Sequence, residues 1–367
     1  MMPLPPNFPW PEPGAPLEEV LTPMPVIDED RLAANIARAQ AYMAAHGLGF
    51  RPHIKTHKIA AVARAQVDAG AVGINCQKLT EAEVFAGAGF DDILVTYNIL
   101  GPARLRRLVA LNDRVARLVV VADSAETVAG YAAAFAGGKP LAVAVECDTG
   151  GGRCGVQDPQ AAFALAQRIQ AAGGLRFAGL VTYPAPGGAA RVEAFLREAM
   201  ALLAAAGIDC PLRSNGGSPD LWQAHLVSSA TEHRAGTYVY NDRAMLRAGE
   251  CGRGDLAMHV LATVVSRPTP QRAVLDCGSK ALTSDLLGFA DYGEIEELPG
   301  ARITSLSEEH AVVDLTGCTA PAPGVGDRVR VIPNHTCVVS NLFDRIVFHR
   351  AGRVSRVEDV AARGTVW

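Results

Sequence analysis

Apolar, β-rich runs recur through the first two thirds of this chain, and alanine-rich helical patterns separate them. The runs fall at residues 50–54, 72–76, 93–97, 118–122, 141–147, 177–183, 212–215 and 236–240. Helical patterns at 59–68, 80–88 and 159–172 show the spacing between them. Strands that alternate with helices build a parallel sheet with helices on its faces. About eight such units in roughly 220 residues suit a closed (β/α)8 barrel of the TIM type better than an open doubly wound sheet. The fold class expected is therefore α/β.

The rhythm changes near residue 250. Short alternating runs at 263–266, 273–276, 311–314, 328–332 and 345–350 are broken by Pro-Gly and Ala-Gly turns, which reads as a mostly antiparallel β domain. Prolines recur too often in residues 1–23 for a helix. The expected organisation is an extended arm over 1–24 able to pack on the β domain, a barrel over 25–248 and a β domain over 249–367. A short strand at 25–28 precedes a helix running through Ala45, capped by Asp28 or Asp30, with Leu32, Ile36, Ala39 and Met43 on one face.

Composition removes several function classes. The formal net charge of −4 argues against a nucleic-acid surface. No tract of about 18 uninterrupted apolar residues is available to span a membrane, and the proline-rich start lacks the pattern of a signal peptide. Eight cysteines are scattered without framework spacing, as expected of reduced thiols in the cytoplasm.

In a parallel barrel, chemistry collects at the C-terminal ends of the strands. Lys55, Gln77, Tyr97 with Asn98, Asp123, Asp148 with Arg153, and Tyr183 fall there in turn. Any one of them alone reads as a solvated loop residue; their recurrence is what marks a site. Lys55 lies in Arg51-Pro52-His53-Ile54-Lys55-Thr56-His57-Lys58. A lysine crowded by cations is a candidate Schiff-base former, with Arg51 and His57 expected to orient it or depress its pKa and Lys58 to be solvated. Ser214-Asn215-Gly216-Gly217-Ser218 and the segment from Gly236 to Asp242 offer backbone N–H groups for a phosphate. Gly150-Gly151-Gly152 lacks dinucleotide-loop spacing. His335-Thr336-Cys337, read as a strand, points an imidazole and a thiol the same way, a pairing suited to Zn²⁺ or to a buried pair without metal. Glu308-Glu309-His310 is either a supporting cluster for that pair or an exposed turn.

Taken together, these segments resemble the D-threonine aldolase and D-serine dehydratase family of fold-type III pyridoxal-phosphate enzymes, which have an alanine-racemase-like barrel. The lysine motif, Cys76-Gln77-Lys78, Gly152-Arg153-Cys154-Gly155-Val156, the Gly236–Asp242 segment, Leu275-Asp276-Cys277-Gly278, Glu309-His310, the Pro333–Cys337 segment and Ala361-Ala362-Arg363-Gly364 carry the resemblance in order, from about Thr22 to the end. The resemblance implies Lys55 as the cofactor's lysine and Gln77, Arg153 and Tyr183 as its lining. It implies Asn215, Gly216, Gly217, Tyr238 and Asn241 near the phosphate, and His335 and Cys337 as ligands of a divalent metal (zinc or manganese, with magnesium as a further option). Lys55, Tyr183, His335 and Cys337 would carry the chemistry.

The expected activity is that of a lyase on small D-3-hydroxy-α-amino acids, in a homodimer. His-x-Cys resembles the dehydratases, whereas the aldolases resemble His-x-Asp; dehydration to a keto acid and ammonia is therefore set ahead of retro-aldol cleavage to glycine and an aldehyde. The segment after Tyr183 lacks the histidines usual in the aldolases, with none before His225. An amino-acid racemase and a non-catalytic pyridoxal-phosphate carrier are the remaining alternatives.

Overall fold

The computed structural model describes residues 10–367; the first nine residues of the expected arm lie outside the described residues. The chain divides into two compact units. One joins the N-terminal segment up to Asn35 to Thr237–Arg363, and the other joins Ile36–Gly236 to Gly364–Trp367. The first strand, β1 (Met24–Asp28), leads into α1 (Glu29–Ala45). Asp28 supplies the cap: its Oδ1 accepts from the backbone N–H of Asp30 and Arg31 at 3.0 and 3.1 Å.

The second unit is the barrel. Its strands are β2 (Gly49–Phe50), β3 (Ile74–Cys76), β4 (Asp92–Val95), β5 (Arg117–Ala122), β6 (Leu141–Cys147), β7 (Leu175–Thr182), β8 (Leu212–Asn215) and β9 (Glu232–His233). All are parallel, in the order β2-β9-β8-β7-β6-β5-β4-β3. The helices α2 (Ala60–Asp68) to α7 (Ala189–Ala205) alternate with them. Every residue of β6 is buried, because both faces of a helix-covered parallel sheet are dry.

Residues 49–53 close the ring. Arg51 N–H donates to His233 O and His53 N–H to Ala235 O, while Pro52 O accepts from Asn75 N–H at 2.8 Å, and His53 bridges Asn75 in parallel. The strand expected over 50–54 thus makes ladder contacts on both sides, then turns into a 3-10 helix, Ile54–Thr56, that carries Lys55.

The eighth strand is not where the periodicity puts it. Residues 236–240 contain a 3-10 helix, Thr237–Val239, and the sheet is completed by Glu232–His233. Its sequence, Thr-Glu-His-Arg, hides a strand because its polar side chains are buried and paired inside the barrel unit instead of showing an apolar alternation. Arg51 Nε lies 3.0 Å from both Glu232 oxygens. Ser214 Oγ donates to Glu232, and Arg234 donates to Ser214 Oγ and to Thr182 O.

The first unit is built on a nine-stranded sheet. Its longest strand, β10 (Met258–Thr269), pairs antiparallel with β1, with β11 (Arg272–Leu275) and with β15 (Arg328–Ile332). Between these lie β12 (Glu294–Ile295), β13 (Arg302–Leu306) and β14 (Ala311–Asp314), and β16 (Arg345–Arg350) and β17 (Arg353–Asp359) end the sheet. Among the described residues of this sheet, only β1 and β16 pair in parallel. Residues 25–28, assigned from sequence to the start of the barrel domain, are thus a strand of this sheet: β1 is flanked by the apolar strands β10 and β16, and its Val26 and Ile27 are buried.

The described part of the arm packs on the same sheet. Gly14 N–H donates to Val354 O, Pro16 bridges Arg353, and Trp10, Ala15 and Leu17 cover a core of Val20, Met24, Val26, Leu261, Val347 and Val354. No helix among the described residues is long and apolar enough to cross a membrane. No disulfide joins any of the eight cysteines among the described residues.

Candidate active site

In the barrel unit the candidate site residues gather around His53. This ring caps the 3-10 turn of Lys55, and its Nε2 lies 3.1 Å from Gln77 Oε1. Gln77 in turn donates to Thr96 O at 2.9 Å, and its backbone N–H is accepted by Glu81. Burial, then the positive charges of Lys55, Arg234 and Arg153, hold His53 well below the usual histidine range, although the Gln77 bond opposes the shift. His53 is therefore neutral amid three cations. Arg153 places its guanidinium carbon 4.8 Å from the centre of the half-exposed Tyr183 ring. Lys55, Gln77, Arg153 and Tyr183 are thus brought together, and two residues to which the sequence reading gave no role, His53 and Arg234, stand among them. His53 was signalled by its place in the lysine motif; Arg234 carried no local signal, because its meaning depends on being folded into the barrel.

The glycine turn after β8 completes this half. Gly216 has φ +127°, a region open to glycine, and a Cβ there would lie 2.6 Å from Arg234 O and His233 Cε1. A Cβ on Gly217 would lie 2.9 Å from Tyr183 Cε2. The two missing side chains leave a cradle beside the Tyr183 ring. Asn215 Oδ1 and His233 Nδ1 are buried there without a partner among the described residues; such atoms cost about 1–3 kcal/mol each unless something satisfies them. Both atoms are acceptors, since His233 Nε2 faces Gly217 O and carries the ring proton, so they call for a donor; what fits an anionic group here is the bare backbone of Gly216 and Gly217 with the cations Lys55, Arg153 and Arg234.

The rest of the basic stretch does other work. Arg51 pairs with Glu232 and, at 2.8 Å, with Asp92, both inside the barrel unit, so its charge is committed to a core ion pair. His57 is fully buried; its Nε2 lies 3.2 Å from Gln66 Oε1, its Nδ1 accepts from Ile59 N–H, and burial lowers it to about 4. Lys58 is buried rather than solvated, with Nζ 3.7 Å from Glu81 Oε1. Tyr97 lies under the ammonium of Lys78, 3.7 Å from the ring centre. Asp123 accepts from Gly155 N–H, and Asp148 from Gly150 and Gly152 N–H, so both hold the loop that presents Arg153. His225 is bonded to Tyr42 Oη at 2.5 Å and stacked on His46, which commits it to an aromatic cluster of its own.

In the β-sheet unit, His335 and Cys337 do not lie on a strand. His335 is the N-cap of a helix, Thr336–Leu342, and Cys337 sits in its first turn. The helix starts there because the fully buried carboxylate of Asp242 takes Thr336 N–H at 3.2 Å. His335 is still extended (φ −146°), and its side chain bonds to that of Cys337. Its Nδ1 lies 2.9 Å from Asp242 Oδ2. Against burial, which lowers it, the negative charges of Cys337 and Asp242 push His335 up to about 11. A site that favours positive charge this strongly, with an imidazole and a sulfur side by side, fits a divalent cation. No group of three or more His, Cys, Asp or Glu among the described residues could hold a metal ion, so the pair would supply two ligands and no more.

Asn241 is held with φ +54° and donates to Asp255 O at 3.1 Å, and Tyr238 is buried. Glu308-Glu309-His310 is an exposed turn, with Glu309 paired to Lys280.

Residues 27–244 match the family model of the alanine racemase N-terminal domain, and residues 257–349 match a putative serine dehydratase domain. The chain is 36% identical to a D-threonine aldolase of an Arthrobacter species over 96% of its own length and 95% of the relative's. The crystal structure of D-threonine aldolase from Filomicrobium marinum superposes with a TM-score of 0.90 at 30% identity, covering 97% of this chain and 100% of that one. A D-threo-3-hydroxyaspartate dehydratase, solved as a cysteine-to-alanine mutant in the metal-free form, gives 0.86 at 33% identity over 94% and 98%. The expected resemblance is thereby established: the chain belongs to the alanine racemase N-terminal domain family, as a member that carries a serine dehydratase domain behind the barrel.

Proposed function

We propose that this protein is a pyridoxal-phosphate-dependent, divalent-metal-assisted lyase of D-3-hydroxy-α-amino acids, with dehydration its main reaction. The observation that carries this reading is the His335–Cys337 pair, held by Asp242, in the same chain as the Lys55 cluster. Among relatives of this architecture the metal-free dehydratase mutant is one in which a cysteine was removed, which supports Cys337 as a ligand.

Pyridoxal phosphate, when bound, supplies an electron sink for the bond broken at the substrate's Cα. A divalent cation, when bound, polarises the substrate hydroxyl. Lys55 anchors the cofactor and moves the proton at its Nζ. Gly216, Gly217 and Asn215 would receive the phosphate, and Arg153 and Arg234 would balance its charge; for Tyr238 and Asn241 the support is family likeness alone. Tyr183 is held in place by Arg153 and by the bare backbone of Gly217. Gln77 and His53 fix the turn on which Lys55 stands. His335 presents Nε2 to the cation, because Nδ1 is engaged by Asp242, and Cys337 presents sulfur; together these donors favour Zn²⁺ over harder ions, with Mn²⁺ as the alternative. Loss of water across Cα–Cβ, followed by hydrolysis, yields a keto acid and ammonia.

A second reading, retro-aldol cleavage to glycine and an aldehyde, is favoured by the identity to a D-threonine aldolase along the whole chain. Eight cysteines without framework spacing support a reducing, cytoplasmic setting, and family likeness supports a homodimer. The test is product analysis with D-threonine, D-serine and D-3-hydroxyaspartate, with pyridoxal phosphate and Zn²⁺ or Mn²⁺ added. Ammonia and keto acid are expected; glycine and aldehyde would move the assignment to the aldolase, and no product from any of the three would overturn both.

A further inference from the structure

The strongest unassigned group in the β-sheet unit is Asp242. It is fully buried, and its two oxygens serve different elements. Oδ1 accepts from Met245 N–H at 2.9 Å and so caps the helix Arg243–Arg247. Oδ2 lies 2.9 Å from His335 Nδ1 and accepts from Thr336 N–H at 3.2 Å, at the start of the helix that carries Cys337. Thr237, five residues earlier, places Oγ1 3.8 Å from Cys337 Sγ. One short segment therefore touches both members of the pair.

We propose that Asp242 is the positioning residue of a cation site at His335 and Cys337. It acts through the imidazole: a carboxylate facing Nδ1 holds the proton there, so that Nε2 is the nitrogen turned to a cation, and makes Nε2 a more basic donor. It also locks the helix start, so that the Cys337 sulfur is held at the distance set by the first turn. This inference rests on the metal reading above, but it concerns a residue to which that reading gives no metal contact.

The experiment titrates Co²⁺ into the full-length protein freed of metal by a chelator. The near-ultraviolet thiolate-to-cobalt band reports Cys337 ligation without any turnover. Asp242→Ser keeps a capping oxygen for Met245 N–H and removes the partner of His335. Asp242→Asn keeps the shape and removes the charge, and it stands in if the serine variant does not fold. Each is expected to weaken Co²⁺ binding by about 10–100-fold, with the band per bound ion retained and the melting temperature moved far less than by a core substitution. Asp242→Glu, which keeps a carboxylate, should recover part of the affinity. Wild-type affinity in a folded Asp242→Ser or Asp242→Asn protein overturns the role of Asp242 while leaving the metal pair intact. Absence of the band in the wild-type protein overturns the metal pair and this inference with it.

Discussion

Arg51→Met is the sharpest test of how the basic stretch is divided between folding and chemistry. Arg51 is 2% exposed, and Nε sits 3.0 Å from both oxygens of Glu232, itself 4% exposed. At an effective dielectric of about 20, unit charges about 4 Å apart attract by about 4 kcal/mol. Removing one partner of a buried pair strands the other charge and typically costs about 3–5 kcal/mol. The bond to Asp92 adds less, because Asp92 is 29% exposed and keeps Arg117 at 3.2 Å. Methionine fills similar volume, so the loss is electrostatic. For a unit of this size, 1 kcal/mol moves the melting temperature by about 2–4 °C, giving a drop of roughly 6–20 °C by circular dichroism. Arg51→Met/Glu232→Leu, which removes both charges, should recover at least half of the loss. A drop below about 1 kcal/mol in urea, or a double variant no better than the single one, would refute the argument.

Acid should unfold the barrel unit through its buried histidines. His57 and His233 are both lowered to about 4 by burial, against 6.5 when exposed. The unfolded chain therefore binds more protons between these values, and stability that is full above pH 6.5 is lost as pH falls towards 4, by roughly 3 kcal/mol per histidine. His57→Asn, followed by thermal melts from pH 8 to 4, should flatten that slope by about one proton. Gly217→Ala places a Cβ 2.9 Å from the Tyr183 ring; overpacking of about 1–3 kcal/mol should weaken pyridoxal-phosphate uptake roughly tenfold or more in an absorbance titration, and unchanged uptake would show that the cradle is not used. Cys337→Asp exchanges a soft ligand for a hard one, so activation should shift from Zn²⁺ towards Mn²⁺ and Mg²⁺ in a metal-titrated product assay; an unchanged metal order would remove Cys337 from the ligand set.

Local chemistry in the chain was enough to determine the alternation of strand and helix, the change to short antiparallel strands, and the residue types of the candidate site. These are properties of near neighbours: apolar period, turn residues, and a lysine or a His-x-Cys in a short motif. Seven of the eight barrel strands could be read in this way. The eighth could not, because Glu232, His233 and Arg234 are polar, and only the barrel interior shows that Arg51 and Ser214 satisfy them. Residues 25–28 were legible as a strand but not as a member of the β sheet, since pairing with β10 and β16 joins positions more than 200 residues apart.

The same limit applies within the site. His335 and Cys337 were visible as a pair, yet their helical setting depends on Asp242, 93 residues earlier in the chain. Arg51, His57 and Lys58 share one motif with Lys55, but burial and partners from other strands and helices turn them into core groups. The sequence by itself determined which chemical groups are available and roughly where along the chain they lie. Tertiary structure decided which of them are paired, buried or left facing a ligand, because desolvation and long-range hydrogen bonds depend on what folds against each group and leave no trace in its neighbours.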